Sequence, residues 1–172
     1  GSRVISAQKA YTANAFSLPG FSLSTANLFS AVQPGGSLYG LQFSNPVVPE
    51  VAYQGSPNKH GTKNDPMVGH TIGGVNVFGG GLALYNSKGE LVGALGVSGD
   101  SSCADHNIAW KVRHKLKLDY VPKGVSPTHD DNIIYDITNG VSVSGWGHAG
   151  CSQEAIKIAG ELPKTHPIRS KK

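Results

Sequence analysis

The chain has 172 residues, 38% of them apolar, and no apolar run long enough to span a bilayer. One domain with a sizeable core is the expectation. The formal charge is +4, but Lys157 onward holds five of the 15 Lys and Arg and one of the 11 Asp and Glu, which leaves residues 1–156 neutral. The folded body therefore lacks the basic stripe of a nucleic-acid-binding domain, and residues 157–172 read as a solvated basic tail.

Taken in order, Ser2 is placed to cap a first helix whose apolar stripe is Val4, Ala7, Tyr11 and Ala15. Pro19-Gly20 ends it. Ser24 or Thr25 is expected to cap a short second helix carrying Leu28, Phe29 and Val32. From Ser37 to Val68 the sequence is polar and broken by four prolines. It reads as a short strand over 38–42 and then a long loop, of the kind that is more often functional or clamped than idle.

The clearest pattern is "GVNVFGGGLALYNSKGELVGALGVSG", two strands over 75–85 and 91–97 joined by the turn at 86–89. Gly79, Gly80 and Gly81 mark a bulge, a ligand surface or a sheet pressed against a helix. They are no dinucleotide fingerprint, because no helix opens within them. Asp100, Ser101 and Ser102 supply caps for a helix over 104–116. Ile108, Ala109, Val112 and Leu116 read as its buried stripe, and His106, Trp110, Arg113 and Lys117 as its other face. A second hairpin is expected across the Asn139-Gly140 turn, between 133–137 and 141–146. After Cys151 the pattern supports a short helix at best.

The two cysteines sit in mirrored surroundings, "CADH" at 103–106 and "HAGC" at 148–151. A disulfide between Cys103 and Cys151 would close a loop worth roughly 4 kcal/mol. A tetrahedral zinc site of Cys103, His106, His148 and Cys151 is the metal alternative, and two free buried thiols are the third reading. The disulfide is the favoured one, as a clamp that brings His148 near His106.

Residues 3–117, from "KAYTANAFS" through "DPMVGHTIGGVNVFGGGLALYNSKGELVGALGVSGDSSCADHNIAW", resemble the GlcG/HbpS family, the haem-degrading domain family. The resemblance implies an α/β (α+β), profilin-like fold with a central antiparallel sheet and packed helices. It also implies oligomers, haem as the suspected cofactor and a periplasmic or extracellular setting. Residues 1–156 are expected to form the one domain, with 118–156 folded onto it as an extension. The family's usual opening helix and strand pair have no counterpart ahead of "KAYTA". The resemblance therefore predicts that a partner chain, a swapped element or the 133–143 hairpin supplies the missing strands.

Haem needs an apolar wall, an axial ligand and cations for its propionates. His106 as ligand, Trp110 as wall and Arg113 or Lys117 as cations would provide these if they share an exposed helix face, with His70 and His148 as further ligands. The plainer reading makes His106 a hydrogen-bonded helix residue and Trp110 a packing residue. His60, His129 and His166 read as solvated, and His114 as part of the helix's polar flank. Two other functions stay open. One is a small-molecule oxidoreductase or accessory subunit, with a pocket at the glycine hairpin rimmed by Asp100, Asp105 and His106. The other is a ligand-free structural subunit.

Overall fold

A computed structural model of the chain describes residues 2–170. Its helices are α1 (Ser2–Ala15), α2 (Leu28–Ala31), α3 (Pro49–Ala52), α4 (Ser102–Lys115) and α5 (Gln153–Thr165). Strands β1 (Gly81–Tyr85) and β2 (Leu91–Gly96) form one antiparallel ribbon, and β3 (Ile137–Thr138) and β4 (Val141–Ser142) a second. The fold is α+β.

The β1–β2 ribbon is the middle layer. Gly81 pairs with Gly96, and Leu82 with Leu95, so alternate pairs face opposite sides. The glycine pair lets α1 settle onto the ribbon: a Cβ on Gly96 would run into the Ser6 carbonyl, and one on Gly81 into the Lys9 carbonyl. On the other side Leu82 and Leu95 pack with Ala109 and Trp110 of α4 and Leu162 of α5. The triple glycine is thus a surface pressed by helices, as the third sequence reading has it. Of the strand expected over 75–80 only Gly80 continues the ladder, its carbonyl accepting from the Val97 N–H; earlier, the Asn76 N–H donates to Thr12 Oγ1.

Helix α1 buries two faces. Val4, Ala7 and Tyr11 pack with Ala52 and Ile72, as the stripe predicts, while Lys9, Thr12 and Ala13 turn inward toward the ribbon. Ser24 and Thr25 do not cap α2. Thr25 instead accepts from the Gly81 N–H and its own N–H donates to the Gly81 carbonyl, while Asn27 Oδ1 accepts from the Ser24 N–H. The strand expected over 38–42 is replaced by a 3₁₀ turn at Leu41–Phe43. The long loop is clamped: the Asp65 carboxylate receives Arg3, the Gly61 N–H at 2.7 Å and the Met67 N–H at 2.9 Å.

Three expectations about the C-terminal third are corrected. The 133–143 hairpin forms its own small ribbon and adds no strand to β1–β2. Among the described residues no strand pairs with the outer edge of β2. Residues 153–165, read as a short helix and tail, form α5, capped by Ser152 and burying Ala155, Ala159 and Leu162. Beyond it, Ile168 packs against the core and Arg169 pairs with Asp119. Lys171 and Lys172 of the expected tail lie outside the described residues, as does Gly1.

Cys103 and Cys151 are joined, with S–S 2.08 Å and 48 residues of separation. The bond ties the first turn of α4 to the segment leading into α5. Cys151→Ser should lower stability by about 4 kcal/mol on loop-entropy grounds. A urea midpoint unchanged by the substitution would show that the crosslink stabilises nothing.

Candidate functional site

Helix α4 presents to the interior the face that the sequence pattern assigns to solvent. His106, Trp110 and Arg113 are at most 1% exposed, whereas Ile108, Val112 and Leu116 are 44%, 40% and 54% exposed. Only Ala109 of the expected stripe is buried. The reversal has a cause: α5 and the 118–134 segment cover the polar side and bring its hydrogen-bond partners. Asn107 Nδ2 donates to the Ala155 carbonyl, and Trp110 Nε1 to the His166 carbonyl. Lys117 leaves the helix in a left-handed conformation, with φ of 58°, and is exposed.

Two buried ion pairs anchor this interior. Lys9 Nζ donates to Asp105 Oδ2 at 2.9 Å and to the Val97 carbonyl at 2.9 Å, and lies 5.0 Å from the Phe78 ring centroid. Arg113 makes a two-pronged contact with Asp131, 2.7 Å on each prong, and donates to the Ala83 carbonyl. Ser22 Oγ donates to the same Asp131 carboxylate. Such charges survive burial because each is hydrogen-bonded as well as paired.

The two expected ligand histidines flank Gly79. Its N–H donates to His148 Nε2 at 3.3 Å, and a Cβ on it would crowd the Ser102 carbonyl and His106 Cβ. His148 Nδ1 donates to its neighbouring Ala149 carbonyl, so both ring nitrogens are occupied. Asn132 Oδ1 lies 3.1 Å from His106 Nε2 and also accepts from the Ile133 N–H, while His106 Nδ1 has no partner. The Ile133 N–H also lies 3.1 Å from His106 Nε2, so this nitrogen faces both an acceptor and a donor of the 132–133 segment. Burial, opposed by Asp131, pushes the imidazolium of His106 down to about 4, and burial also lowers His148. Both act as neutral structural imidazoles.

The disulfide thus brings His148 and His106 together as expected, but inside the packing. The exposed haem face of His106, Trp110 and Arg113 does not exist, because these side chains fill the core that they were expected to roof. The zinc alternative fails too: bridged sulfurs are not thiolate ligands. Among the described residues no group of three or more His, Cys, Asp and Glu is arranged to hold a metal ion. The glycine-hairpin pocket is filled by α1, Lys9 and α4, and Asp105, placed on its rim, is spent on Lys9 and the Asp100 N–H. His70 is the expected ligand that remains exposed. It stands at the end of the clamped loop, whose Pro66 packs at Gly55 and whose Val68 and Tyr53 are 64% and 70% exposed. Sequence reasoning missed Lys9, Asp131 and Asn132 as the interior's polar partners; a lone lysine amid "AQKAYTA" and the run "HDDN" were the signals.

An α+β domain with a helix-sandwiched glycine ribbon and a bridged C-terminal segment defines the class. Residues 1–113 match the family described as Haem degrading protein HbpS-like, and the chain belongs to that family. It is also 36% identical over 102 residues to the Corrinoid adenosyltransferase PduO of Citrobacter freundii, covering 59% of this chain. The matched stretch is only 21% of that relative's length. No solved structure matches the chain.

The buried histidines give a pH signature. Native His106 resists protonation until about pH 4, while the unfolded imidazole takes up its proton near 6.5. Stability should therefore fall as pH drops from 6.5 toward 4, by roughly 3 kcal/mol from this residue. The His106→Gln variant should show a shallower slope in urea midpoints over that window. An equal slope would place the linkage elsewhere.

Proposed function

We propose that this chain is a haem-handling protein that takes haem at its surface, with His70 as the axial ligand. Membership of the HbpS-like family supports haem as the ligand class. The observation that carries the choice of residue is exposure. His106 and His148 are sealed in the core, while His70 is open to solvent two residues after the exposed Val68. Val68 and Tyr53 offer the macrocycle apolar contact, and Lys59 and Lys63, exposed on the same clamped loop, offer cations for the propionates. Bound haem would supply the iron chemistry; the protein's part is to hold it through one imidazole and a rigid loop.

The match to PduO favours a second reading, a corrinoid at the same surface. The interior acids and bases, Asp105, Asp131, His106 and His148, are closed to solvent, so the proposed site is placed at the surface. The unpaired edge of β2 supports assembly with a partner strand, from a second copy or another chain.

Titration with hemin should give a saturable Soret band that is lost or shifted in His70→Ala and retained in His148→Gln. A spectrum indifferent to His70→Ala removes the assignment. Spectral change with aquocobalamin and none with hemin selects the corrinoid reading.

A further inference from the structure

A separate cleft of about 610 Å³ lies between the turn that follows α2, residues 33–37, and the β3–β4 hairpin with its exit loop. Its volume falls in the roughly 300–1,000 Å³ range of small-molecule sites. We propose that this cleft binds a neutral saccharide, with the Trp146 indole as its stacking wall and the hydroxyl and amide groups around it as hydrogen-bond partners.

The first support is the charge of the lining. None of the residues around the cleft is Asp, Glu, Lys, Arg, His or Cys. A carboxylate or phosphate ligand would lose water there with no cation to receive it, and the Asp136 carboxylate behind the wall is already engaged by Ser142 and Ser144. An imidazole or thiolate that could hold a metal or haem is equally missing from the lining. What the walls offer is neutral: the hydroxyls of Ser37 and Ser144, the Gln33 amide and exposed glycine backbone, alternating with Trp146 and Val141. That mixture matches a sugar ring, which shows an apolar C–H face to one side and hydroxyls around its rim.

The second support is how the wall is held. The Asp136 carboxylate receives Ser142 Oγ and the Ser144 N–H, both at 2.7 Å. Ser142 Oγ in turn accepts from the N–H groups of Gly145 at 3.0 Å and Gly147 at 2.9 Å. Ser30 fastens the loop to α2, its Oγ and N–H both donating to the Gly147 carbonyl. These bonds bracket Trp146, whose own N–H donates to Ser144 Oγ. A loop backbone braced in advance spends little ordering entropy when a ligand stacks on the ring it carries.

The third support is the contrast between the two tryptophans. Trp110 is 1% exposed, and its indole N–H is committed to the His166 carbonyl. Trp146 is only half-buried on a surface loop, and among the described residues its indole N–H makes no hydrogen bond. A ring of that size left open on a braced loop, with a donor unspent, is the chemistry of a contact residue.

The test uses the full chain and three neutral probes, cellotriose, maltotriose and triacetylchitotriose, with trigalacturonate as the charged control. Tryptophan fluorescence and calorimetry should show saturable binding of at least one neutral trisaccharide, and binding of trigalacturonate weaker by about tenfold or more. Trp146→Ala should weaken the neutral ligand by about tenfold or more while leaving the urea midpoint in place. Val141→Asp, at a position 69% exposed, sets a charge on the rim and should weaken it as well, giving a second variant if the first folds poorly. The proposal is overturned if none of the three neutral probes saturates, if both variants bind as the parent does, or if trigalacturonate binds as well as they do. Hemin binding through His70 is unaffected by any of these outcomes.

Discussion

The contact on which the arrangement depends is the reach of Lys9 across the end of the β1–β2 ribbon. Its side chain leaves α1 on one side of the ribbon, passes Gly80, and meets Asp105 in the first turn of α4. A Cβ at Gly80 would run into the Val97 carbonyl first and then the lysine side chain, and with φ of 123° the position favours glycine in any case. The ammonium has the Val97 carbonyl, the Asp105 carboxylate and the Phe78 ring around it, a set that replaces the water it gave up. The two helices are therefore tied to each other as well as to the sheet between them.

From that tie follows the orientation of α4. With Asp105 turned inward, residues one helical turn and two turns on, Ala109 and Arg113, are carried to the same side. Arg113 can remain there because Asp131 comes to meet it, and Asp131 arrives on a segment held in place by Asn132 and His106. The price is that Ile108, Val112 and Leu116 face outward. A core built this way combines apolar packing with buried polar contacts, and the latter fix which face of α4 turns inward.

Much of this was legible in the sequence where the signal is local. The ribbon, its turn, the Ser101-capped helix and the Asn139-Gly140 turn each carry a periodicity or a turn pair that short-range physics enforces. Both central residues of that last turn have positive φ, 52° and 80°, as an Asn-Gly hairpin requires. The choice between the two faces of α4 was not legible, since 106, 110, 113 and 117 fall on one helical face as readily as 108, 112 and 116 do on another. Long-range partners decide it: Lys9 for Asp105, Asp131 for Arg113, and the cover of α5. That helix has its own stripe, Ala155, Ala159 and Leu162, masked by Gly160 within it and by Pro163 inside its last turn. The cysteine pairing was open to inference, but its consequence was inverted: the bridge seals the histidines in and offers them to no ligand.

Both proposed sites therefore lie at the surface, on the loop ending at His70 and in the cleft beside Trp146. Both rest on segments braced against a core that must stay closed, and the Lys9–Asp105 contact is the most direct place to ask whether it is. A double-mutant cycle with Lys9→Met and Asp105→Leu, followed by urea unfolding, measures that contact. Each single change should cost roughly 3–5 kcal/mol by stranding a buried charge, and the double variant should recover much of the loss. Single effects below about 0.5 kcal/mol that simply add would contradict it, since such values belong to solvated surface charges.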